Sequence, residues 1–563
     1  MDKRFFLALF LSLIVIAVSQ LLFPAPKTAP GSHVSLTGDS SSRLSDGRAP
    51  AAASSSLPSA NLATAPLAIR SSATPSRTTG QAAVETTAVN TAKAIYKFTN
   101  IGAAPISIVM RDYLNRSASG GPVDLAADGS PLLGYRLVTP SDTIDLSKLP
   151  FVLSSVRSAN KQEALTYNAS IKNDTVSVTY SVSQDTVASY AIGVSGSVKG
   201  PSGQAYLLID LPKTLRPAEA DTTADYRSLA YSFKPDRDHA RSVLFGSLEP
   251  GEKTLEPGPL SWVAVKSKYF VLGILSPPKG TLFSEVTLSG GPRTSKVATN
   301  AAATVVEAIT NNKFAFDIYA GPQESQRLAR MGQDFDHVNP YGWRFLQGVV
   351  HPIASKVIQA LLWMHNRLNL SYGWVLVILG ILVRFALWPL NQSTMRSSLK
   401  MQELQPKLAA AQKKYPDPVQ QREAIMKVYH DAGVSPFAGL TGCLPALLPM
   451  PILFALFFVF QNTIEFRGVP FLWLHDISIK DPLYVLPLLM GVSMYLLSWI
   501  GMRSAPPNPQ AKMMGYMFPV MMTVVLLNMA SGLNLYYTAQ NIAALPQQWL
   551  LARERAKIRP KTG

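Results

Sequence analysis

The stretch from Ser371 to Leu390, SYGWVLVILGILVRFALWPL, constrains this chain more than any other. It is an apolar run of roughly bilayer length, at about 1.5 Å rise per residue, and it carries one charge, Arg384. An arginine at that depth costs about 2.5–3.5 kcal/mol on insertion scales, so it faces a protein interior or a wet cavity, or else reaches the headgroups. Pro389 ends the helix shortly beyond it, and long cations near helix ends snorkel, so this stretch alone leaves both readings open.

Composition settles the class. In 563 residues, 47% are hydrophobic and only 15% charged, which points to a membrane protein with more than one domain. A net charge of +17 in a soluble chain would suggest nucleic acid; here the cytosolic loops and tail are expected to hold much of it, and no nucleic-acid module is visible. The single cysteine, Cys443, excludes intrachain disulfides and zinc clusters, and the seven histidines show no ligand spacing, so no metal or cofactor is expected.

The chain opens with MDKRFF and an apolar run from Phe5 to Phe23, longer than a signal-peptide core, so residues 1–24 are expected to stay as an N-terminal transmembrane anchor. Residues 25–90 are rich in Ala, Ser, Thr, Pro and Gly and read as a disordered tether. From 91 to 325, short alternating runs such as ISIVMRDY, DTVSVTYSV, WVAVKSKYFVLGILSP and KFAFDIYAGP predict a β-sandwich outside the membrane. Its Asp236, Asp238 and His239 read as a solvated polar turn, and binding of a partner protein or peptide is expected in place of catalysis. Residues 326–370 read as a connector followed by an aromatic-rich amphipathic helix at the membrane interface; a helix packed on the sandwich is the competing reading.

Residues 371–551 carry five apolar segments: about 371–390, 443–460, 483–500, 515–529 and 533–551. Between the first two, residues 391–438 hold seven Lys/Arg against four acids, with YPDP between two helical patterns, and predict a cytoplasmic helical hairpin. The 461–482 loop, by contrast, has two basic and three acidic residues, and the 552–563 tail is basic. Charge asymmetry then gives six spans with the amino terminus inside, the sandwich outside and the carboxy terminus inside.

Several strings together resemble the YidC membrane protein insertases, relatives of the mitochondrial Oxa and chloroplast Alb proteins: GILVRFALWPLNQSTMRSSLKMQELQPKL, KKYPD, GCLPALLPMPILFALF, FLWLHDISIKDPLYVLPLLMG, PQAKMMGYMFP and SGLNLYYTAQN followed by PQQ. WVAVKSKYFVLGILSP and IYAGP resemble the large periplasmic domain of the Gram-negative type. The resemblance covers nearly everything after Thr91. It implies a polytopic α-helical protein of six transmembrane helices, five of them the insertase core, with a periplasmic all-β sandwich, in the bacterial inner membrane. It also implies a hydrophilic groove open to cytosol and lipid but closed outside, with Arg384 in the position of the family's second-span arginine. Implied partners are nascent integral membrane proteins, the lipid bilayer and the Sec translocase with its SecD/SecF/YajC accessory part. The ribosome is expected at the basic tail and hairpin. Departures from the family pattern are Gly380, where relatives often carry a hydroxyl residue, Pro449 before Met450 and Pro451, Ala530 in place of a proline, and the inserted Leu440 and Thr441.

Beside Arg384, the polar residues Tyr537, Thr538, Gln540 and Asn541 are candidate groove lining; Tyr537 and Asn541, one turn apart, share a face. Interhelical hydrogen bonding is the plainer reading of the same residues. Met450, Pro451, Leu453 and Phe457, with Val525, are the candidate apolar path by which a substrate slides into lipid; core packing competes. No covalent chemistry is needed, because a helix of ten leucine-type residues gains about 3–6 kcal/mol on insertion. The runner-up is a secondary transporter or ion channel with Arg384 in a solute site.

Overall fold

The computed structural model describes residues 83–558, apart from 128, 160–161, 172–173, 186–189, 200–202, 279, 294, 340, 342–346, 390–391, 393–406, 409, 412–413, 415–416, 432–449 and 504–508. The anchor at 1–24, most of the 25–90 tether, much of the 391–438 hairpin and the end of the tail lie outside the described residues.

Alternating apolar residues build two antiparallel sheets. In Ala301–Ile309 every second side chain is buried, the signature of a strand with one face on a core. The smaller sheet holds Thr86–Asn90, Ala94–Thr99, Ala104–Leu114 and Pro122–Asp124 in sequence order. Its first strand lies inside the stretch read as tether: TTAVN buries only Val89, too little to show as a pattern.

Among the described residues the larger sheet has 14 strands, two of them a side branch in which Arg241–Leu244 pairs with Ala230–Pro235 and that with Lys253–Lys266. The main path runs from Thr143–Asp145 through Gly134–Val138, Ala205–Asp210, Ala301–Ile309, Phe283–Gly290 and Lys253–Lys266. It continues through Phe270–Leu275, Lys313–Pro322 and Ala191–Lys199 to Asp174–Ser183, Gln162–Ile171 and Val152–Ala159. Such a sheet folds back on itself. Tyr135 and Tyr180, near its opposite ends, meet with hydroxyls 2.9 Å apart, and Tyr180 also donates to the Ala103 carbonyl at 2.6 Å. The Phe98 ring of the smaller sheet packs at a tilt 4.7 Å from Tyr180, so both sheets close over one core. The region is a β-sandwich.

Beyond it come the helices Gln347–Leu368, Tyr372–Ala386, Pro418–Asp431, Met450–Asn462, Val485–Arg503, Pro509–Leu526 and Ser531–Ile558. Asn369 sits at φ 52°, a left-handed position that asparagine tolerates, and ends the first of these. At the corner that follows, His365 Nδ1 lies 2.7 Å from the Leu370 carbonyl and its ring stacks on Tyr372 at 4.0 Å. Among the described residues, Val485–Arg503 is the one helix both long and apolar enough to cross a membrane, with Tyr372–Ala386 and Gly515–Leu526 as shorter apolar helices.

Glycines set the spacing between helices. A Cβ on Gly380 would fall 2.9 Å from the Tyr536 carbonyl and 3.4 Å from the Gln540 amide nitrogen, and one on Gly532 would lie 3.2 Å from Leu376. Tyr372–Ala386 and Ser531–Ile558 therefore run side by side in the same direction, with backbones closer than a side chain allows.

Candidate functional site

At one end of the helices the 463–484 loop forms a lid. Asp481, fully buried, accepts from the backbone of Leu483 at 3.0 Å and Leu486 at 2.8 Å and from the Trp473 indole at 3.2 Å. It thereby satisfies amides at the start of Val485–Arg503 that helix geometry leaves without partners. Ser531 and Gly532, opening the last helix, donate their amides to the carbonyls of Ile479 and Ile477 at 2.7 and 2.8 Å. Aromatic rings fill the space between: Phe460 stacks on Phe466 at 5.3 Å, Tyr372 meets Phe466 edge-on at 5.5 Å, and Trp374 meets Phe471 edge-on at 5.4 Å.

The same loop grips the β-sandwich. Arg467 pairs with Glu219 at 2.7 Å, both nearly inaccessible, and its guanidinium also donates to the carbonyls of Leu114 and Ala218 at 2.8 and 3.0 Å. Burial lifts the Glu219 carboxyl above its usual range even with Arg467 beside it. Arg116 pairs with Asp476, whose carboxylate also receives the Ser478 amide at 2.8 Å. Glu465 accepts from the Ser325 amide at 3.4 Å, and burial pushes its carboxyl up to about 7.

Further along the helices stands a cation in a different setting. Arg384 lies one turn beyond Gly380, which places it level with about residues 540–544 of the neighbouring helix at 3.6 residues per turn. It is half-buried, and its Nε is shut off from solvent without a hydrogen-bond partner among the described residues. None of the helices Met450–Asn462, Val485–Arg503 and Pro509–Leu526 carries an Asp or Glu, nor does the last helix before Glu554, so no span offers a counter-ion. Among the described residues the Tyr537 hydroxyl is likewise buried and unpartnered, as are the Tyr536 hydroxyl and both amide atoms of Gln547, and, nearer the lid, the amide oxygen of Asn534 and the hydroxyls of Thr463 and Ser478. A dry, unsatisfied polar group costs about 1–3 kcal/mol, so several along one helix call for water or a polar guest.

The other candidates divide. Thr538 is buried and bonds back to the Asn534 carbonyl at 2.8 Å within its own helix. Asn541 donates to Ser493 at 3.1 Å and ties the last helix to Val485–Arg503; Gln540 is half-buried. Met450, Pro451 and Leu453 fall in Met450–Asn462, but their side chains lie outside the described residues. Phe457 is half-buried against Phe458 at 5.4 Å, and Val525 is 49% exposed on Pro509–Leu526.

Sequence reading did not single out Ser493, Asn534 or Gln547. A signal existed: Asn534, Thr538 and Asn541 recur at i, i+4 and i+7, one polar face of an otherwise apolar helix. Among the described residues, no group of three His, Cys, Asp or Glu could hold a metal ion.

Comparison with known proteins agrees with this architecture. Residues 86–353 match the model of the YidC periplasmic domain, and residues 363–558 match that of the 60Kd inner membrane protein. Similar curated relatives include the membrane protein insertase YidC of Chlorobium luteolum, 31% identical over 493 residues, covering 80% of this chain and 79% of the relative. That of Anaeromyxobacter sp. is 28% identical over 458 residues, covering 79% and 78%, and that of Chloroherpeton thalassium is 33% identical over 316 residues, covering 52% of each. Two domain models in the right order, and a relative above 30% identity across four-fifths of the chain, show that it belongs to the YidC family of inner-membrane protein insertases.

Proposed function

We propose that this protein inserts and helps fold nascent integral membrane proteins through a groove around Arg384 that opens to the cytosol and to lipid and is closed on the periplasmic side. The observation that carries the reading is the contrast in charged groups along the helices. At the 463–484 lid Arg467, Asp476 and Asp481 are paired, whereas Arg384 has a buried Nε with no partner among the described residues, with the Tyr537 hydroxyl and Gln547 amide likewise unpartnered. Six spans follow from the charge pattern of the loops, with the lid and sandwich outside and the basic hairpin and tail inside.

The mechanism is physical. Burial of the substrate's apolar helix in lipid supplies the drive, and the cost lies in carrying its polar flank inward from water. A guanidinium without a fixed acid partner offers a counter-charge to one carboxylate, worth a few kcal/mol at an effective dielectric near 20. Tyr537 and Gln540 add polar lining beside it, while Thr538 and Asn541 hold the helix that carries them. Met450, Pro451, Leu453, Phe457 and Val525 form the apolar side along which the substrate leaves. Long, highly charged outer segments exceed what one arginine offsets, which makes the Sec translocase and its SecD/SecF/YajC part the partner for such substrates. The basic hairpin and tail dock the ribosome.

The test is insertion in reconstituted vesicles of a substrate with a short acidic tail. Arg384→Ala is expected to slow insertion about thirty-fold, equivalent to roughly 2 kcal/mol, while Arg384→Lys retains most of it because the positive charge is what acts. Equal loss in both variants would mean that the guanidinium packs or hydrogen-bonds instead.

A further inference from the structure

The Gln347–Leu368 helix and the short Ser325–Met331 helix at the base of the β-sandwich enclose a cavity of about 460 Å³ that the groove reading does not use. Tyr341, Ile358 and Leu362, all buried, give it an apolar floor, beside polar walls that include His351, Gln359 and Asn366. Asp336, Trp363 and Arg367 stand at its rim. Trp363 is 62% exposed although it is a large aromatic, and Arg367 is exposed with no acid within ion-pairing distance among the described residues. Among the described residues, the one basic side chain within ion-pairing distance of Asp336 is the His337 imidazole, at 3.9 Å.

Depth along the chain says what such a cavity meets. Arg367 comes five residues before Tyr372, where the apolar helix carrying Arg384 begins, so the rim lies where a bilayer's headgroups meet water. An exposed tryptophan belongs at that level, and an unpaired arginine there attracts phosphate. The cavity thus pairs an apolar floor with one cation and one acid at its mouth.

We propose that this cavity binds one phospholipid of the outer leaflet, a zwitterionic aminophospholipid, with its phosphate on Arg367, its ammonium on Asp336 and the upper part of an acyl chain on Ile358 and Leu362. Charge balance chooses this occupant: a purely anionic headgroup would meet Asp336 as well as Arg367. A lipid seated there fills the wedge between sandwich and helix and fixes the height of the sandwich above the membrane. The proposal rests on the membrane setting of the family and not on the groove, so the two fail separately.

The experiment is native mass spectrometry of the full chain, delipidated and then titrated with phosphatidylethanolamine, phosphatidylglycerol or inorganic phosphate. Wild type is expected to retain one phosphatidylethanolamine more than Ser355→Trp, which fills the cavity. Arg367→Gln, a change at an exposed position, is expected to weaken that lipid's retention about five-fold, as the loss of one basic contact implies. Equal retention by all three proteins would overturn the proposal. So would retention of phosphatidylglycerol as tight as that of phosphatidylethanolamine, displacement by millimolar inorganic phosphate, or a co-purifying polypeptide, in place of lipid, lost from Arg367→Gln.

Discussion

At the lid end of the helices, the buried carboxylates of Asp476 and Asp481 each have donors set on them, and Ser531 and Gly532 hand their amides to loop carbonyls. Further along the same helices, Arg384 Nε, the Tyr537 hydroxyl and the Gln547 amide are just as enclosed and have none among the described residues. At the lid end the two buried aspartates are paired and aromatic rings pack between loop and helices, while the Thr463 and Ser478 hydroxyls are buried without a hydrogen-bond partner among the described residues. The Arg384 end leaves a cation without a partner among the described residues, a larger cost than a lone hydroxyl, which a stable fold tolerates only where water or a guest takes it up. On the proposed function, this difference separates the part of the bundle that would close from the part that would meet the substrate.

Removing the lid's pairing should cost most. Asp481→Ala strands the Leu486 amide and the Trp473 indole in a dry site, and a loss of about 3 kcal/mol is expected, read as a lowered thermal midpoint in detergent. A midpoint within a degree of wild type would show that the lid end is wetter than its geometry implies.

Packing comes next. Gly380→Val places a branched side chain where even one carbon meets the Tyr536 carbonyl at 2.9 Å, so the helices carrying Arg384 and Tyr537 must part, at about 1–3 kcal/mol. Insertion should fall with stability. A stable, fully active variant would loosen the link between helix spacing and the Arg384 site.

The lid should also report pH. Glu465 holds its proton up to about 7 in the folded protein, chiefly through burial, whereas an unfolded glutamate releases it near 4.5. Because the folded state binds more protons across that window, the neutral carboxyl's contribution is complete below 4.5 and is lost as pH rises through 7. Glu465→Gln should therefore flatten the pH dependence of the unfolding midpoint and gain on wild type as pH rises from 5 to 8. Parallel curves for the two proteins would place Glu465 in water.

The smallest effect tests the boundary between the two ends. Asn541→Ala removes one bond to Ser493, worth about 0.6 kcal/mol in membrane proteins, and should leave insertion nearly unchanged. A loss of insertion comparable with that of Arg384→Ala would move Asn541 from holding helices together to serving the substrate.

Much of this was legible in the chain. Period-two runs such as that of Ala301–Ile309 mark strands, and the lone charge in 371–390 marks Arg384, because each pattern depends on near neighbours. The order of the strands is set by pairings between distant segments, such as Ala205–Asp210 with Ala301–Ile309, and leaves no local trace. Asp476 and Asp481 read as acidic loop residues in a charge count; only the fold turns them inward. Gly380 stands out in sequence as a missing hydroxyl, yet its reason is an approach of two backbones that no spacing reveals. The amides of Asn541 and Gln547 look alike in sequence, and the neighbour each meets decides which ties helices together and which stays open.

The most direct measurement is side-specific labelling of one cysteine beside Arg384. With Cys443 replaced by serine, Gln540→Cys would be exposed in sealed vesicles to a charged, membrane-impermeant thiol reagent from each side in turn. A lid that closes and a groove that serves predict rapid labelling from the cytosolic side and none from the periplasmic side. No labelling from either side, or equal labelling from both, would contradict it.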